Sequence, residues 1–297
     1  MAEFFTQRVI KPYLLQPELE NGPAGHFVYT PVPSRALGQL LVFLGGTTSK
    51  PANYQTFPAW AARVGYHVIN LAYPTEVSSL SCEQEEDLAS FTRYRHQMLT
   101  GHPAGDATPT AGSLLGRTQA LLAHLATEQP QGGWETFFAS GTLHHPHLTL
   151  VGHSQGAGHA AYWAQRYAVQ RVIVLAGPND TSLRHSTPAP WLSEAFATPK
   201  ERFYGVLHHD DEVVDYHRQR AVWEAMGLVA PGAIPEVGLT TPAEAYTPFM
   251  ILTDEPIPDQ IGIAQKHSLM VADGRAARMG HELPPYRRLW EYWLGVE

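Results

Sequence analysis

One short segment of this sequence carries residue types that suit covalent chemistry. Gly152, Ser154 and Gly156 form a G-x-S-x-G pattern, which follows the apolar run Leu148–Val151 and precedes the predicted small-residue helix Ala157–Tyr167. A short run that is apolar apart from one threonine, Thr149, is typical of a buried parallel strand. A serine on such a strand-to-helix turn points its oxygen out of the sheet, and flanking glycines let the strand and the helix approach closely. The pattern therefore predicts that Ser154 is a nucleophile.

The elements that would position this serine alternate along the chain. Apolar runs of strand length, such as Leu40–Leu44, Arg171–Ala176 and Phe203–Leu207, are separated by helical patterns such as Leu114–Thr127. This alternation is typical of a mostly parallel sheet covered by helices. A chain of 297 residues can still form a single core. We therefore predict an α/β fold with a mostly parallel central sheet flanked by helices, in one domain that spans residues 1–297.

The segment around the serine, GHSQGA, resembles the nucleophile turn of the α/β-hydrolase superfamily, and also that of bacterial lipases and cutinases. As an order of elements, the resemblance covers the chain from about Leu40 to its C-terminus. It implies the α/β-hydrolase fold, with a histidine as the general base and a carboxylate that orients this histidine. It also implies the chain order serine, acid, histidine. Neither a metal nor an organic cofactor is implied.

The superfamily order leaves few histidines as candidates for the base. Among the sixteen histidines, those that follow Ser154 are His159, His185, His208, His209, His217, His267 and His281. The resemblance places the base in a loop after the last core strand, which we predict at Phe249–Leu252. His267 fits this position and is the preferred candidate. His281, just before the terminal helix, is the alternative.

The acid is expected after a strand that ends beside the nucleophile strand. The predicted strand Phe203–Leu207 is followed by Asp210 and Asp211. Residues 211–214, DEVV, resemble the acid turn of the superfamily. We therefore predict that Asp211 orients the base. Asp210 stays an alternative, as do Asp180, which follows the preceding strand, and Asp254, which lies on the connection to the histidine.

The resemblance also implies an oxyanion hole. Acyl transfer creates a tetrahedral oxyanion, which two backbone N–H groups usually stabilise. One donor should be Gln155, the residue after the nucleophile, and the other should come from the loop after Leu40–Leu44. This loop reads Gly45-Gly46-Thr47, whereas many relatives have a histidine where Gly45 stands. Because a backbone donor does not depend on that side chain, we predict Thr47 as the second donor, with Gly46 as the alternative.

Two further features could shape a substrate pocket. Residues 76–111 form an insertion between a core strand and the next helix, and insertions above the strand ends often cover a site. Tyr54 and Phe57 follow the oxyanion loop, and Trp191 and Phe196 precede the acid strand, so these four rings are candidate pocket residues. Core packing is an equally good interpretation of each ring.

Composition excludes several functional classes. The formal net charge is -8, so the chain repels nucleic acid and anionic membrane surfaces. No apolar run reaches the roughly 18 residues that a transmembrane helix needs. Cys82 is the only cysteine, and the cluster of His144, His145 and His147 has no paired carboxylate, so we predict neither a disulfide nor a metal site. The N-terminal residues do not resemble a signal peptide, so we expect a cytoplasmic protein, or a secreted one if such a peptide has been removed.

The motif and the resemblance together favour a carboxylic ester hydrolase similar to esterases and lipases, with a small-molecule ester as its substrate. A thioesterase, an amidase or a cutinase-like polyester hydrolase would carry the same three residues, so these activities remain alternatives. A catalytically silent binding protein with the same fold is the non-enzymatic alternative. The sequence leaves the acyl length, the alcohol and the oligomeric state open.

Overall fold

The computed structural model describes residues 4–19, 24–230, 234–238, 240–253, 265–271, 273 and 286–296. Within these residues the main sheet has nine strands. In chain order they are β1 (Phe5–Ile10), β2 (His26–Pro31), β3 (Leu40–Leu44), β4 (His67–Asn70), β5 (Leu148–His153), β6 (Arg171–Leu175), β7 (Phe203–His208), β8 (Glu236–Val237) and β9 (Phe249–Leu252). The α-helices are α1 (Pro12–Leu15), α2 (Thr56–Arg63), α3 (Ala89–Thr100), α4 (Leu114–Glu128), α5 (Gln155–Arg166), α6 (Tyr216–Ala225), α7 (Gln265–Ser268) and α8 (Arg287–Leu294).

The strands of the main sheet lie in the order β1-β2-β4-β3-β5-β6-β7-β9-β8. β2 pairs antiparallel with β1 and β4, and the other neighbours pair parallel. The sheet is therefore mixed and mostly parallel. With helices on its faces, it confirms the α/β class that the alternation of apolar runs predicted.

The central strands are buried over their whole length. All five residues of β3 and all six of β5 are buried, and the two strands pair in register from Leu40 with Leu148 to Leu44 with Gly152. Strands that are covered on both faces read as continuous apolar runs, which is why this part of the sheet could be predicted. β5 continues two residues beyond its apolar run, because His153 still pairs with Leu175 of β6.

Helices cover both faces of the sheet, and side chains of each strand alternate between them. Leu40, Val42 and Leu44 point into one core, to which α3, α4, α5 and α6 contribute buried side chains. Leu41 and Phe43 point into the other, which α2 and α8 cover. The sheet is thus the middle of three layers.

The parallel central strands all end at one edge of the sheet. The loops after β3, β5, β6 and β7 begin there, at Gly45, Ser154, Ala176 and His209. Ligand sites of open α/β sheets lie at this carboxyl edge. The fold therefore brings the predicted oxyanion loop, the serine and both acid-bearing loops to the same side of the molecule.

Candidate active site

Ser154 occupies the turn between β5 and α5 in an unusual backbone conformation. Its φ is 55° and its ψ is -119°, a combination that L-residues rarely adopt. Such a conformation costs on the order of 1–3 kcal/mol and persists only where the surroundings fix it. Here the backbone N–H of Ser154 donates to the carbonyl oxygen of Leu175 at 2.8 Å, which ties the turn to the end of β6.

The glycines on either side of this turn are required by close backbone approach. A Cβ on Gly152 would overlap the carbonyl oxygen of Gly156, at the start of α5. A Cβ on Gly156 would overlap the carbonyl oxygens of Leu44 and Gly45, at the end of β3. Both contacts are with backbone atoms, which cannot rotate away. The G-x-S-x-G pattern therefore reflects the packing of strand, turn and helix.

Three side chains form a hydrogen-bonded chain at this turn. Nε2 of His267 lies 2.8 Å from Oγ of Ser154, and Nδ1 of His267 lies 2.6 Å from Oδ2 of Asp211. His267 belongs to the short helix α7, and Asp211 lies in the turn after β7. Since an ionised carboxylate only accepts hydrogen bonds, Nδ1 carries the proton and Nε2 is free to accept one from the serine.

The carboxylate of Asp211 is held by further donors. Oδ1 accepts from the backbone N–H groups of Val213 at 2.8 Å and Val214 at 3.0 Å, and Oδ2 accepts from Nε2 of Gln219 at 3.0 Å. Burial acts to raise the pKa of Asp211, but the hydrogen bond and charge of His267 and the two backbone amides outweigh it. The pKa therefore lies below the ordinary value, and the carboxylate stays ionised.

Gln219 was missed by sequence reasoning. It lies in α6, eight residues after Asp211, and is fully buried. The available signal was its polar side chain among the buried residues Val222 and Trp223 of the same helix. A buried polar side chain needs a partner, and the carboxylate beside α6 supplies one.

The alternative acids have other partners. Asp210 is exposed and accepts from Nζ of Lys266 at 2.7 Å and from His209 at 2.9 Å, and these hydrogen bonds lower its pKa to about 2. Asp180 is fully buried and pairs with Arg95. Two other candidates, the acid Asp254 and the base His281, lie outside the described residues.

The three predicted oxyanion donors all border Ser154, but their N–H groups differ in availability. The N–H of Gly46 donates to the hydroxyl of Tyr54 at 3.2 Å. For the N–H groups of Thr47 and Gln155, no acceptor is present among the described residues. The side chains of these two residues also bond to each other, since Oγ1 of Thr47 donates to Oε1 of Gln155 at 2.8 Å. Thr47 and Gln155 are therefore the free pair, and Gly46 is already engaged.

A cavity of about 530 Å³ opens in front of the serine. Ser154 and His267 form part of its wall together with the oxyanion loop and Tyr54. The remaining wall is formed by Ser78, Ser79, Leu80, Glu83, Asn179, Val213 and Val214, among others. A substrate carbonyl can therefore reach Oγ of Ser154 from this side.

Three of the four predicted pocket rings lie elsewhere, in the cores. Phe57 is fully buried in α2 and packs between Phe43 and Trp290, with ring centroids 6.0 Å and 5.3 Å away. Trp191 is fully buried on the opposite face of the sheet, and Phe196 packs against it at 6.3 Å. Large rings beside strand ends bury more apolar area in a core than at a solvent-filled cavity. Of the four, the structure places Tyr54 alone in the cavity wall.

The insertion at residues 76–111 divides into two parts. Its first part, which includes a short 3-10 turn at Ser79–Cys82, borders the cavity. Its second part, α3, packs against α4 and α5 and belongs to the helix layer. The side chain of Gln155 ties the first part to the nucleophile turn, because its Nε2 donates to the carbonyl oxygen of Val77 at 3.0 Å.

A buried ion pair lies beside the start of α5, next to the turn at Ser154. The guanidinium of Arg95, in α3, donates to both carboxylate oxygens of Asp180. It also donates to the carbonyl oxygen of Gln155 and to Nδ1 of His159, each at 3.0 Å. A Cβ on Gly158 would overlap this guanidinium and would force it to shift. Sequence reasoning missed Arg95, because its partners are 60 to 85 residues away in the chain.

Comparison with known proteins adds no relative to this description. No protein-family model matches the chain, and no curated protein matches its sequence. In the described part of the chain, no helix is long and apolar enough to cross a membrane. Over the same residues, no three His, Cys, Asp or Glu side chains come together in a way that could hold a metal ion.

Proposed function

We propose that this protein is a serine hydrolase of the α/β-hydrolase superfamily that cleaves carboxylic esters through an acyl-enzyme. The observation that carries the proposal is the hydrogen-bonded chain Ser154–His267–Asp211 on a strained turn that faces a cavity. A serine, a histidine and an ionised carboxylate in this arrangement are what nucleophilic attack on a carbonyl requires.

The sheet supports the α/β-hydrolase fold as part of this proposal. The serine lies on a strand–turn–helix element, and its histidine and acid follow it along the chain in the order acid, histidine. The loop from β3 to α2 lies beside the serine, where this fold takes its second oxyanion donor from the connection after its third strand. These features agree with the fold at the positions that matter for catalysis.

Acylation begins with proton transfer from the serine. As Oγ of Ser154 bonds to the ester carbonyl carbon, its proton passes to Nε2 of His267, and Asp211 stabilises the imidazolium that results. The carbonyl oxygen becomes an oxyanion, which the N–H groups of Thr47 and Gln155 bind. Each such donor contributes on the order of 10²–10³-fold to kcat. Collapse of the intermediate breaks the ester C–O bond, and His267 gives its proton to the leaving alcohol.

Deacylation repeats these steps with water. His267, neutral again, takes a proton from a water molecule as the water oxygen attacks the acyl carbon. The same two N–H groups bind the second oxyanion. When the intermediate collapses, the bond to Oγ of Ser154 breaks and His267 returns the proton to the serine. The carboxylic acid product leaves, and every group that took part is restored.

Hydrolysis of p-nitrophenyl esters with acyl chains from C2 to C16 tests this proposal. We expect the wild type to be active and Ser154→Ala to lose at least about 10⁴-fold in kcat/KM. Ser81→Ala is the matched control, because Ser81 lies in the adjacent insertion and is exposed. A fluorophosphonate, which phosphonylates activated serines, should label the wild type and leave Ser154→Ala unlabelled.

Two results would contradict the proposal. One is a Ser154→Ala variant with wild-type activity, which would rule out the serine as the nucleophile. The other is a folded wild type that neither hydrolyses any ester in the series nor reacts with the fluorophosphonate. The acyl-length profile of an active wild type would in addition define the substrate range.

A further inference from the structure

His153, the residue before the nucleophile, makes hydrogen bonds that the mechanism above does not use. It is the last residue of β5, and its side chain is buried, with 3% of its surface exposed. Nδ1 lies 3.0 Å from the hydroxyl of Tyr54, and Nε2 lies 2.8 Å from the carbonyl oxygen of His267. His153 therefore stands between the oxyanion loop and the main chain of the general base.

The His267 carbonyl fixes the direction of one hydrogen bond, and a neutral His153 ring then fixes the direction of the other. The carbonyl oxygen of His267 only accepts, so Nε2 of His153 donates to it. In the neutral imidazole Nδ1 is then an acceptor, and the hydroxyl of Tyr54 donates to it. The oxygen of Tyr54 in turn accepts from the N–H of Gly46, at 3.2 Å. A directed chain thus runs from the Gly46 amide through Tyr54 and His153 to the His267 carbonyl.

The chain is buried, and its tyrosine is fixed from several sides. Tyr54 is only 4% exposed, and its ring packs on Phe43 with centroids 5.0 Å apart. Its own carbonyl oxygen accepts from Nδ2 of Asn70 at 2.6 Å. Hydrogen bonds between largely buried groups are stronger than exposed ones and cost more when one partner is removed.

A second contact joins the same two segments. The carboxylate of Asp273 accepts from the backbone N–H groups of Gln55 and Thr56 at 2.7–2.9 Å, at the N-terminus of α2. Asp273 follows α7, which carries His267, and Gln55 follows Tyr54. The segment that carries the base is therefore linked to the segment that follows the oxyanion loop in two ways. One link runs through His153, and the other is the direct contact of Asp273.

We propose that Tyr54 and His153 are positioning residues that hold the oxyanion loop and the general base at fixed places on either side of Ser154. The inference rests on the proposed function, since it assigns a role in that reaction. Through Tyr54 the Gly46 amide is engaged, which leaves Thr47 and Gln155 as the oxyanion donors. Through His153 the main chain of His267 is anchored, which sets the distance from Nε2 to Oγ of Ser154.

Tyr54→Phe tests this role by removing a single oxygen atom. The variant keeps the ring but removes the hydroxyl that accepts from the Gly46 amide and bonds to Nδ1 of His153. Misplacement of reacting groups by a fraction of an ångström to 1 Å costs up to about 10²-fold. We expect kcat to fall about 10- to 100-fold and KM to change less than about 3-fold, because the loss is felt in the transition state.

Tyr66→Phe is the matched control. The hydroxyl of Tyr66 is also buried and donates to the carbonyl oxygen of Leu294 at 2.7 Å, away from the site. Its removal should lower the melting temperature about as much as Tyr54→Phe does and leave kcat unchanged. A stability effect alone would then act equally in both variants, whereas a positioning role acts only in Tyr54→Phe.

His153→Asn cuts the chain at its other end. The asparagine carbonyl can still accept from Tyr54, but the donor to His267 is lost. If the chain acts as a unit, the double variant Tyr54→Phe/His153→Asn should be no slower than about the slower single variant. Independent structural roles would instead multiply the two losses.

The outcomes separate this inference from the proposed function. Loss of activity in Ser154→Ala together with wild-type kcat in both Tyr54→Phe and His153→Asn would overturn the inference and keep the hydrolase. Three other results would also overturn it: losses of kcat that multiply in the double variant, an effect on KM alone, or an equal fall of kcat in Tyr66→Phe. Activity retained in Ser154→Ala would reject the hydrolase itself.

Discussion

Asp180 and Asp211 follow neighbouring strands at the same edge of the sheet, yet their side chains contact different partners. Asp180, beyond β6, is fully buried and pairs with the guanidinium of Arg95. Asp211, beyond β7, has a buried carboxylate that contacts His267 at the wall of the cavity. Both carboxyl groups are held by several donors. The first is enclosed in the helix layer, and the second is linked to Ser154 through the imidazole of His267.

The difference comes from the partner that each loop meets. α3, which is packed on α5, carries Arg95 to the loop after β6. α7 carries His267 to the loop after β7. The same residue type at equivalent positions therefore acquires a structural role in one place and a proposed catalytic role in the other. This comparison predicts that stability and activity respond separately to changes at the two aspartates.

The largest expected effect is on activity, in Asp211→Asn. An amide in place of the carboxylate no longer fixes the proton on Nδ1 of His267 and cannot stabilise an imidazolium. From the proposed function, and by analogy with Ser-His-Asp proteases, we expect kcat to fall by about 10⁴-fold, equivalent to about 5.5 kcal/mol in the activation barrier. Steady-state kinetics with a p-nitrophenyl ester measure this loss, and circular dichroism establishes that the variant is folded.

Asp210→Asn is the control for that experiment. Asp210 is the adjacent carboxylate, its side chain is about half exposed, and it pairs with Lys266 at the surface. Because exposed ion pairs are screened by solvent, we expect both kcat and the melting temperature to stay close to those of the wild type. A large loss of kcat in Asp210→Asn with little loss in Asp211→Asn would exchange the roles of the two residues.

Much of this arrangement could be predicted from local sequence. Apolar runs predicted β3 and β5. The glycine pattern predicted the turn at Ser154, because backbone overlap excludes any residue other than glycine at positions 152 and 156. The expected chain order of serine, acid and histidine selected the three side chains that the structure joins. Their catalytic role stays a prediction.

The parts that could not be predicted depend on contacts distant in sequence. Arg95 meets Asp180 only because α3 packs on α5, and nothing around residue 95 in the sequence indicates this. Tyr54 was predicted as a pocket residue, but its hydroxyl bonds to Gly46 and His153 depend on how the loop after β3 folds. For Phe57, the sequence left pocket and core as equal interpretations, and its position in α2 buries it in the core.

The second expected effect is on stability, in Asp180→Asn. This change leaves the buried guanidinium of Arg95 without a counter-charge, which typically costs about 3–5 kcal/mol. We expect the free energy of unfolding, measured with urea, to fall by that amount. The kcat of the folded fraction should change by less than about tenfold, far less than in Asp211→Asn.

The double variant Arg95→Met/Asp180→Asn distinguishes an orphaned charge from lost packing. Removing the cation as well takes away the uncompensated charge. The amide oxygen of the introduced asparagine could still accept from Nε1 of Trp191, which lies 2.9 Å from the carboxylate in the wild type. The double variant should therefore be more stable than Asp180→Asn alone. Equal or lower stability would mean that the orphaned charge contributes little to the cost.

The third and smallest effect separates the two aspartates by pH. His159, which contacts Arg95, has a pKa well below its ordinary value, because burial and then the charge of Arg95 disfavour its protonated form. As pH falls below about 6.5, the unfolded chain binds a proton at His159 that the folded protein does not. The contribution of neutral His159, beside the Arg95–Asp180 pair, to the free energy of unfolding is therefore at its full value above this pH and declines below it. The contribution of Asp211, whose pKa is lowered from a carboxyl value, is complete above the ordinary carboxyl value of about 3.9 and is lost as pH falls from there to the lowered pKa.

His159→Asn should remove this response between about pH 4.5 and 6.5. The asparagine oxygen can accept from Arg95 in place of Nδ1, so the contact is kept and the titrating ring is lost. The slope of unfolding free energy against pH should then be shallower than in the wild type by up to about 1.4 kcal/mol per pH unit. His159→Gln places its oxygen differently and should differ in absolute stability, but its slope should match that of His159→Asn because neither side chain titrates. If both variants keep the wild-type slope, His159 is not the source of the acid sensitivity. The two aspartates would then differ in their bonding partners and not in the pH dependence of stability.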